Sequence, residues 1–326
     1  PDSYYNAIIN WVKQRYDLIV TKEVINFVPG IVPGIGMAMN CFTQKGDKVM
    51  IQPPVYHPFA WVTTRNERTL VINPLKWENG MYRMDLDAFR EQIKGCKLFI
   101  LCNPHNPGGV VWTEAELRAI ADICYDEKVL VFSDEIHADL TLPPHTHRPF
   151  ATVSEKARMN SVTFMSPSKA FNMPGLSASH ALIFNEDLRK RFRIYMDAGE
   201  LDMGHVFAFL SVEAAYSHGT EWLDQCLAYI QGNIDFVDDF LKNHAPKIKA
   251  IRPEASYLVW LDCRELELSQ KDLNEFFVDK AHLALNDGEM FGKEGIGFMR
   301  LNVASPRCII EKAMKQLADA YQLYIK

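Results

Sequence analysis

The stretch 161-SVTFMSPSKAFNMPGL-176 ends an apolar run in a small polar loop that carries one lysine. Val162 to Met165 reads as a strand buried on both faces, the kind found in parallel sheets. Ser166 and Ser168 suit an anion-binding loop, because hydroxyls and free backbone amides both donate to oxygens. Lys169 then places an amine beside that anion site. Taken alone, the stretch is better explained by a surface loop with a solvated lysine. The other strand ends decide between the two readings.

Working outward, Val129 to Phe132 is a second parallel-type strand, and VLVFSDEIHADL puts Asp134, Glu135 and His137 at its carboxyl end. Acidic side chains seldom sit that deep unless they are paired. Lys97 to Cys102 is a third strand, running into NPHNPGG, where prolines hold Asn103 and Asn106 in place. Such asparagines either cap turns or meet ligands. Lys48 to Gln52 leads into PPVYHPF, which presents Tyr56 just past a strand end, as core or as a stacking ring. Val24 to Val28 precedes PGIVPGIGMAMN, a glycine-rich strand-to-helix turn with Pro33 at the helix start. Such turns bind phosphate at the helix amino end, though they also serve plain packing.

Helices are expected at the amino end, where Ile8, Ile9, Val12 and Tyr16 share a face and Asp2 or Ser3 serves as N-cap. Asp85 caps another through Ile93, and Thr113 with Glu116 forms a capping box for one ending near Lys128. Thr69 to Met84 reads as a hairpin turning at Asn79-Gly80. Asp187 to Tyr216 is helical in pieces, and Glu221 to Asn243 is a long amphipathic helix bridging two domains. Thereafter strands at Lys247 to Arg252, Tyr257 to Asp262 and Gly297 to Val303 mix with helices at Gln270 to Ala281 and Arg307 to Ile325. The expected fold class is α/β: a large three-layer α/β/α domain with a mostly parallel sheet, 1–232, and a smaller α+β domain, 233–326.

Composition bounds the function. With 326 residues and 48% apolar content the chain can bury a large core. A net charge of −6 with scattered basic residues offers no footprint for nucleic acid or an anionic membrane, so the expected partner is a small molecule. The seven cysteines are widely spaced with no C-x-x-C pair, which fits a reducing cytoplasm. No run reaches membrane-spanning length, and the amino end has no leader-like region, so a soluble cytoplasmic protein is expected.

In open α/β sheets ligands bind at the carboxyl edge, where these polar residues gather. A lysine, a deep carboxylate, a tyrosine and a phosphate cradle together describe a pyridoxal 5'-phosphate site. Lys169 would hold the cofactor and move the substrate's α-proton. Asp134 would keep the pyridine nitrogen protonated, and Tyr56 would stack on the ring. Asn106 and His137 would hydrogen-bond near the ring hydroxyl. Ser166, Ser168 and the backbone at Ile31 and Val32 would hold the phosphate.

The motifs VPGIVPGI, QPPVYHPF, LCNPHNPGG, SDEIHADL, SPSKAFNMPGL and GFMRLNVASPR cover essentially the whole chain. In order and spacing they resemble fold type I pyridoxal phosphate enzymes of the class I and II aminotransferase superfamily, within it most nearly the MalY/PatB group of cystathionine β-lyases. The resemblance implies Lys169 as the Schiff-base lysine, Asp134 as the pyridine partner, Asn106 as a contact to the ring hydroxyl and Arg300 as the clamp on the substrate carboxylate. An arginine grips a carboxylate with two parallel hydrogen bonds, which lysine cannot. Ser177 stands where aminotransferases commonly carry a phosphate-binding arginine, and His137 where they carry tyrosine; both changes favour the lyase group. The resemblance also implies a homodimer, and several dozen residues before Pro1 that include a tyrosine reaching the partner subunit's site.

The expected reaction is α,β-elimination of cystathionine- or cysteine-type substrates to a thiol, pyruvate and ammonia. Transamination shares its early steps, and a regulatory binding protein keeping the fold is the third reading. No metal site is expected: His145 and His147 read as solvated loop histidines. Cys308 has no base beside it in sequence and reads as packing.

Overall fold

A computed structural model describes residues 1–324. Along the chain the strands are β1 (Ile25–Val28), β2 (Lys48–Ile51), β3 (Thr69–Ile72), β4 (Lys76–Glu78), β5 (Met81–Arg83), β6 (Cys96–Cys102), β7 (Leu130–Asp134), β8 (Ser161–Met165) and β9 (Ser179–Leu182). A later set comprises β10 (Lys249–Ile251), β11 (Leu258–Asp262), β12 (Asn286–Asp287) and β13 (Phe298–Asn302). The helices are α1 (Asp2–Tyr16), α2 (Ile31–Phe42), α3 (Pro58–Arg65), α4 (Leu86–Gln92), α5 (Glu114–Asp126) and α6 (Glu155–Met159). They continue as α7 (Glu186–Ala198), α8 (Val206–His218), α9 (Thr220–His244), α10 (Gln270–Glu275) and α11 (Arg307–Tyr324). The expected end of α11 at Ile325 lies outside the described residues.

Seven strands form the main sheet in the order β1-β9-β8-β7-β6-β2-β3. The contacts β3–β2, β2–β6, β6–β7 and β7–β8 are parallel, while β9 is antiparallel to both β8 and β1. Six carboxyl ends therefore share one edge with the amino end of β9. Alternation along the strands builds two cores. Leu98, Ile100, Phe132 and Phe164 pack with Ile35, Phe59 and Phe192 of α2, α3 and α7. Phe99, Leu101 and Val131 pack on the other side with Phe89, Leu117 and Ile120 of α4 and α5. The three-layer α/β/α arrangement follows from strands apolar on both faces, each face needing its own cover.

The second sheet, β10-β11-β13-β12, is antiparallel throughout. Val259, Leu261, Met299 and Leu301 face α9 and α11, where Ile234, Met314 and Leu317 complete the core. Trp260 and Phe298 point the other way and join the core of the main sheet. Arg300 lies opposite Trp260 in register and alternates in step with Phe298, so it shares the face turned toward the large sheet.

Local signals hold where the chemistry is local. Thr113 accepts from Glu116 N–H at 3.2 Å and Glu116 Oε2 accepts from Thr113 N–H at 2.8 Å, the expected capping box. Three expectations need correction. The Asn79-Gly80 hairpin joins only β4 and β5, because Thr69–Ile72 pairs parallel with β2 in the main sheet. Pro1 stands at the N-cap of α1 without a side-chain cap, and Asp2 instead pairs with Lys22 at 2.6 Å. Cys308 is exposed on α11, so it packs into nothing. Strands β9 and β12 and helices α3 and α6 were not anticipated. No described helix is long and apolar enough to cross a membrane.

Helix α2 sits close on the sheet because Gly34 has no side chain: an added Cβ would lie 2.9 Å from Val28 Cγ2 and 3.2 Å from Phe164 Cε1. Gly36 is roomier, its nearest neighbour being Val62 Cγ2 at 3.3 Å. Overpacking costs about 1–3 kcal/mol, against a gain of about 1 kcal/mol for alanine in a helix. Thermal unfolding should accordingly show Gly34→Ala melting below the parent and Gly36→Ala at or above it.

Candidate active site

A cavity of about 470 Å³ opens at the shared strand edge, between the two sheets. Its floor is the end of β7, where Asp134 is 3% exposed. One donor reaches that carboxylate, the Ile136 N–H at 3.1 Å, and no ion pair involves it among the described residues. Burial therefore dominates and pushes the Asp134 carboxyl up to about 7; repulsion from Glu135 adds to this, and the Ile136 N–H and the charge of Lys169 oppose it. A buried acid of this kind awaits a cationic or N–H partner.

Lys169, from the loop after β8, lines the same cavity. The turn after β7 brings His137, buried, with Nδ1 lacking a hydrogen-bond partner. Burial, then the charges of Lys169 and Arg300, hold its imidazole down to about 3, so it is neutral at ordinary pH. Asn106, past the end of β6, accepts at Oδ1 from Arg300 Nη1 at 2.7 Å. Arg300 also donates Nη2 to Asn286 Oδ1 at 2.8 Å, stands 4.7 Å from the Phe291 ring centroid, and keeps a buried, unpartnered Nε. Burial lowers the Arg300 guanidinium to about 10, which leaves it charged at neutral pH. Tyr56 lines the wall with its ring edge-on to Phe59, and burial raises its phenol.

One end of the cavity has the make-up of an anion cradle. Pro29 to Val32 line it, and α2 begins at Ile31 with no side-chain cap, leaving first-turn amides to donate. Gly30 has φ 130°, a conformation glycine adopts without strain. Ser168 lines this region, joined by Ser177 and Ser179 at the amino end of the reversed strand β9.

The placement of Ser166 differs from expectation. Its hydroxyl donates to the Ala178 carbonyl at 2.8 Å and accepts from Ser168 N–H at 3.1 Å, so it holds the loop together and does not line the cavity. His147 also differs: it is buried, with Nε2 2.7 Å from Glu135 Oε2, whereas His145 stays partly exposed. Sequence reasoning missed His57, Ser179, Tyr257, Asn286 and Asn302, all of which line the cavity. His57 was in plain view within PPVYHPF, while Asn286 could not be found, because β12 is two residues long.

These residues fit pyridoxal phosphate on three structural grounds: a buried acid without a cation, an uncapped glycine-led helix start beside serines, and a lysine between them. Matches to known proteins agree. The family model for aminotransferase class I and II matches residues 2–317. The chain belongs to the class I and II aminotransferase family. It is 38% identical to cystathionine β-lyase PatB of Bacillus subtilis over 97% of this chain and 82% of that protein. Among solved structures it resembles a PLP-bound putative aminotransferase from Clostridium difficile, at 40% identity and TM-score 0.96, over 98% of this chain and 83% of that one. It also resembles a PLP-bound C–S lyase from Staphylococcus hominis, at 32% identity and TM-score 0.93, over 100% of this chain and 85% of that one.

The acid at the cavity floor has a consequence for stability. A carboxyl raised from 3.8 to about 7 keeps its proton in the folded chain while the unfolded chain loses it, so folding weakens as pH climbs through that window and then levels off. In the cofactor-free protein, Asp134→Asn should therefore melt increasingly above the parent as pH rises from about 4 to about 7, with the gap smallest at the acid end. A gap independent of pH would contradict the assignment.

Proposed function

We propose that this chain is a pyridoxal phosphate-dependent carbon–sulfur β-lyase, cleaving cystathionine- or cysteine-type substrates to a thiol, pyruvate and ammonia. The observation that carries it is that Lys169, Asp134 and Arg300 face one cavity from three different elements. Relatives named as cystathionine β-lyase and C–S lyase, at 38% and 32% identity, supply the reaction class. When bound, the cofactor would draw electrons away from the substrate's Cα, which is what makes loss of a β-thiolate possible.

The chain's own residues then divide the work. Lys169 Nζ would hold the cofactor and, as a free amine, would take the proton from the substrate's Cα. Asp134 would keep a proton on the pyridine nitrogen. Arg300 turns its two Nη groups from Asn106 and Asn286 to the substrate carboxylate, aligning the Cα–H bond. Asn106 and the neutral His137 would hydrogen-bond near the ring hydroxyl, Tyr56 would stack on the ring, and Ile31, Val32 and Ser168 would hold the phosphate. Ser166 supports Ser168 from behind. Asn106 thus serves cofactor and substrate alike, since its Oδ1 already touches Arg300.

Aminotransfer is the second reading, favoured by the Clostridium difficile neighbour named as a putative aminotransferase. It differs only in where the proton returns. Small Ser177, at φ 47° beside the cradle where aminotransferases commonly carry arginine, supports the lyase. We further read residues 1–232 as the large domain and 233–326 as the small one, supported by confinement of the second sheet to 249–302, with α9 bridging the two. A homodimer working in the cytoplasm fits the family resemblance and seven cysteines free of disulfides.

Pyruvate should form from cystathionine with no keto acid present, and Lys169→Ala should abolish it; amino transfer to a keto acid without pyruvate would overturn the lyase assignment. Steady-state kinetics on Arg300→Lys should show KM rising about tenfold or more, the effect of losing about 1.4 kcal/mol of two-pronged binding.

A further inference from the structure

Immediately after Asp134 lies a second buried carboxyl that the proposed chemistry does not use. Glu135 is 1% exposed, and three donors converge on it. Ser133 Oγ donates to Oε1 at 2.9 Å, Phe150 N–H donates to Oε1 at 2.8 Å, and His147 Nε2 meets Oε2 at 2.7 Å. The Nδ1 of His147 is buried without a partner, so the ring hydrogen belongs on Nε2, where it has an acceptor. Asp134, one residue away, receives a single N–H. Two neighbouring carboxyls thus share one buried turn, and only one of them is solvated by the protein.

Like charges this close do not both form without cost, and the better-donated group takes the charge. The geometry points to Glu135 as a positioning residue: supported by Ser133, Phe150 and His147, it holds the negative charge of the turn, so that Asp134 retains its proton until the ring nitrogen of the cofactor reaches it. His147 is braced in turn. Tyr16 meets its ring in a T-shaped contact with centroids 5.5 Å apart, and Tyr16 and Trp11 of α1 both donate to buried Asp139. The support for the cofactor's acid therefore extends through the loop 147–150 to the first helix.

The groups facing Asp134 are Glu135 on its own turn, Cys102 at the paired end of β6, Lys169 after β8, and Tyr56 across the cavity. Those facing His147 are Glu135, Asp139 and Tyr16. Glu135→Gln removes the carboxylate charge with little change of shape: the amide oxygen still accepts from Ser133 and Phe150, and the amide N–H meets His147 Nε2 once the ring hydrogen moves to Nδ1.

The test is equilibrium binding of pyridoxal phosphate to cofactor-free protein from about pH 5 to about pH 9, followed by cofactor absorption, with melting temperatures of the free proteins alongside. In the parent, affinity should rise with pH through a midpoint near 7, as Asp134 loses its proton. Glu135→Gln should move that midpoint down by about one pH unit. His147→Leu, which takes a donor from Glu135, should move it the same way, and His147→Gln, which restores a donor, should bring it back. A Glu135→Gln midpoint equal to the parent's, with only the melting temperature lowered, overturns the inference and leaves a purely structural pair. If Glu135→Gln does not fold, equal midpoints for His147→Leu and His147→Gln overturn it equally. The inference rests on Asp134 facing the ring nitrogen; a parent with no midpoint at all would refute that reading, an outcome distinct from a midpoint that the variants share.

Discussion

Asp134 ends a strand flanked on both sides by parallel neighbours, Cys102 of β6 and Phe164 of β8, and its carboxyl is buried there with one hydrogen-bond donor. A charge in that position is disfavoured by desolvation, and the nearby Lys169 offsets this only in part. The site is thus built around a buried acid whose ionisation burial opposes and which one N–H satisfies only in part. The parallel sheet makes this possible, because it sends Asn106, Asp134 and Lys169 from adjacent strands to one edge. Reversing β9 adds serines to the same edge, from a strand whose carboxyl end lies elsewhere.

The second sheet completes the site through strand alternation. Its apolar residues divide between two cores, and Arg300 falls on the face that already carries Trp260 and Phe298 toward the large sheet. Its guanidinium is held by Asn106 and Asn286 and backed by Phe291, so it is oriented with no carboxylate partner among the described residues. A clamp of this kind is preorganised for an anionic ligand, since it exchanges neutral acceptors for a charged one.

Much of this was legible beforehand, for identifiable reasons. Lys169, Asp134, Asn106 and Tyr56 each follow a run of buried strand residues, and in a parallel sheet a strand end is an address. The capping box at Thr113 was equally plain, because its partners lie three residues apart. Ser166 was misread because a serine in a turn can serve its own loop as readily as a ligand. His147 looked like a loop histidine until Glu135 met it across twelve residues of chain. Thr69–Ile72 looked like half of a hairpin because local turn chemistry says nothing about a third strand with a better partner.

The sequence by itself determined most of the elements and the inventory of chemistry: the buried strands β2, β6, β7 and β8, the caps at Asp85 and Thr113, and the polar side chains that stand at those strand ends. These are properties of neighbours in the chain, set by side-chain period and turn preference. Only the tertiary structure decided which of those polar groups meet. The pairing of Arg300 with Asn106 spans 194 positions, and the choice of Glu135 over Asp134 as the well-donated carboxyl depends on Phe150 and His147 arriving from a separate loop. Desolvation and hydrogen-bond supply are three-dimensional quantities, and they give two adjacent acids of similar chemistry different surroundings.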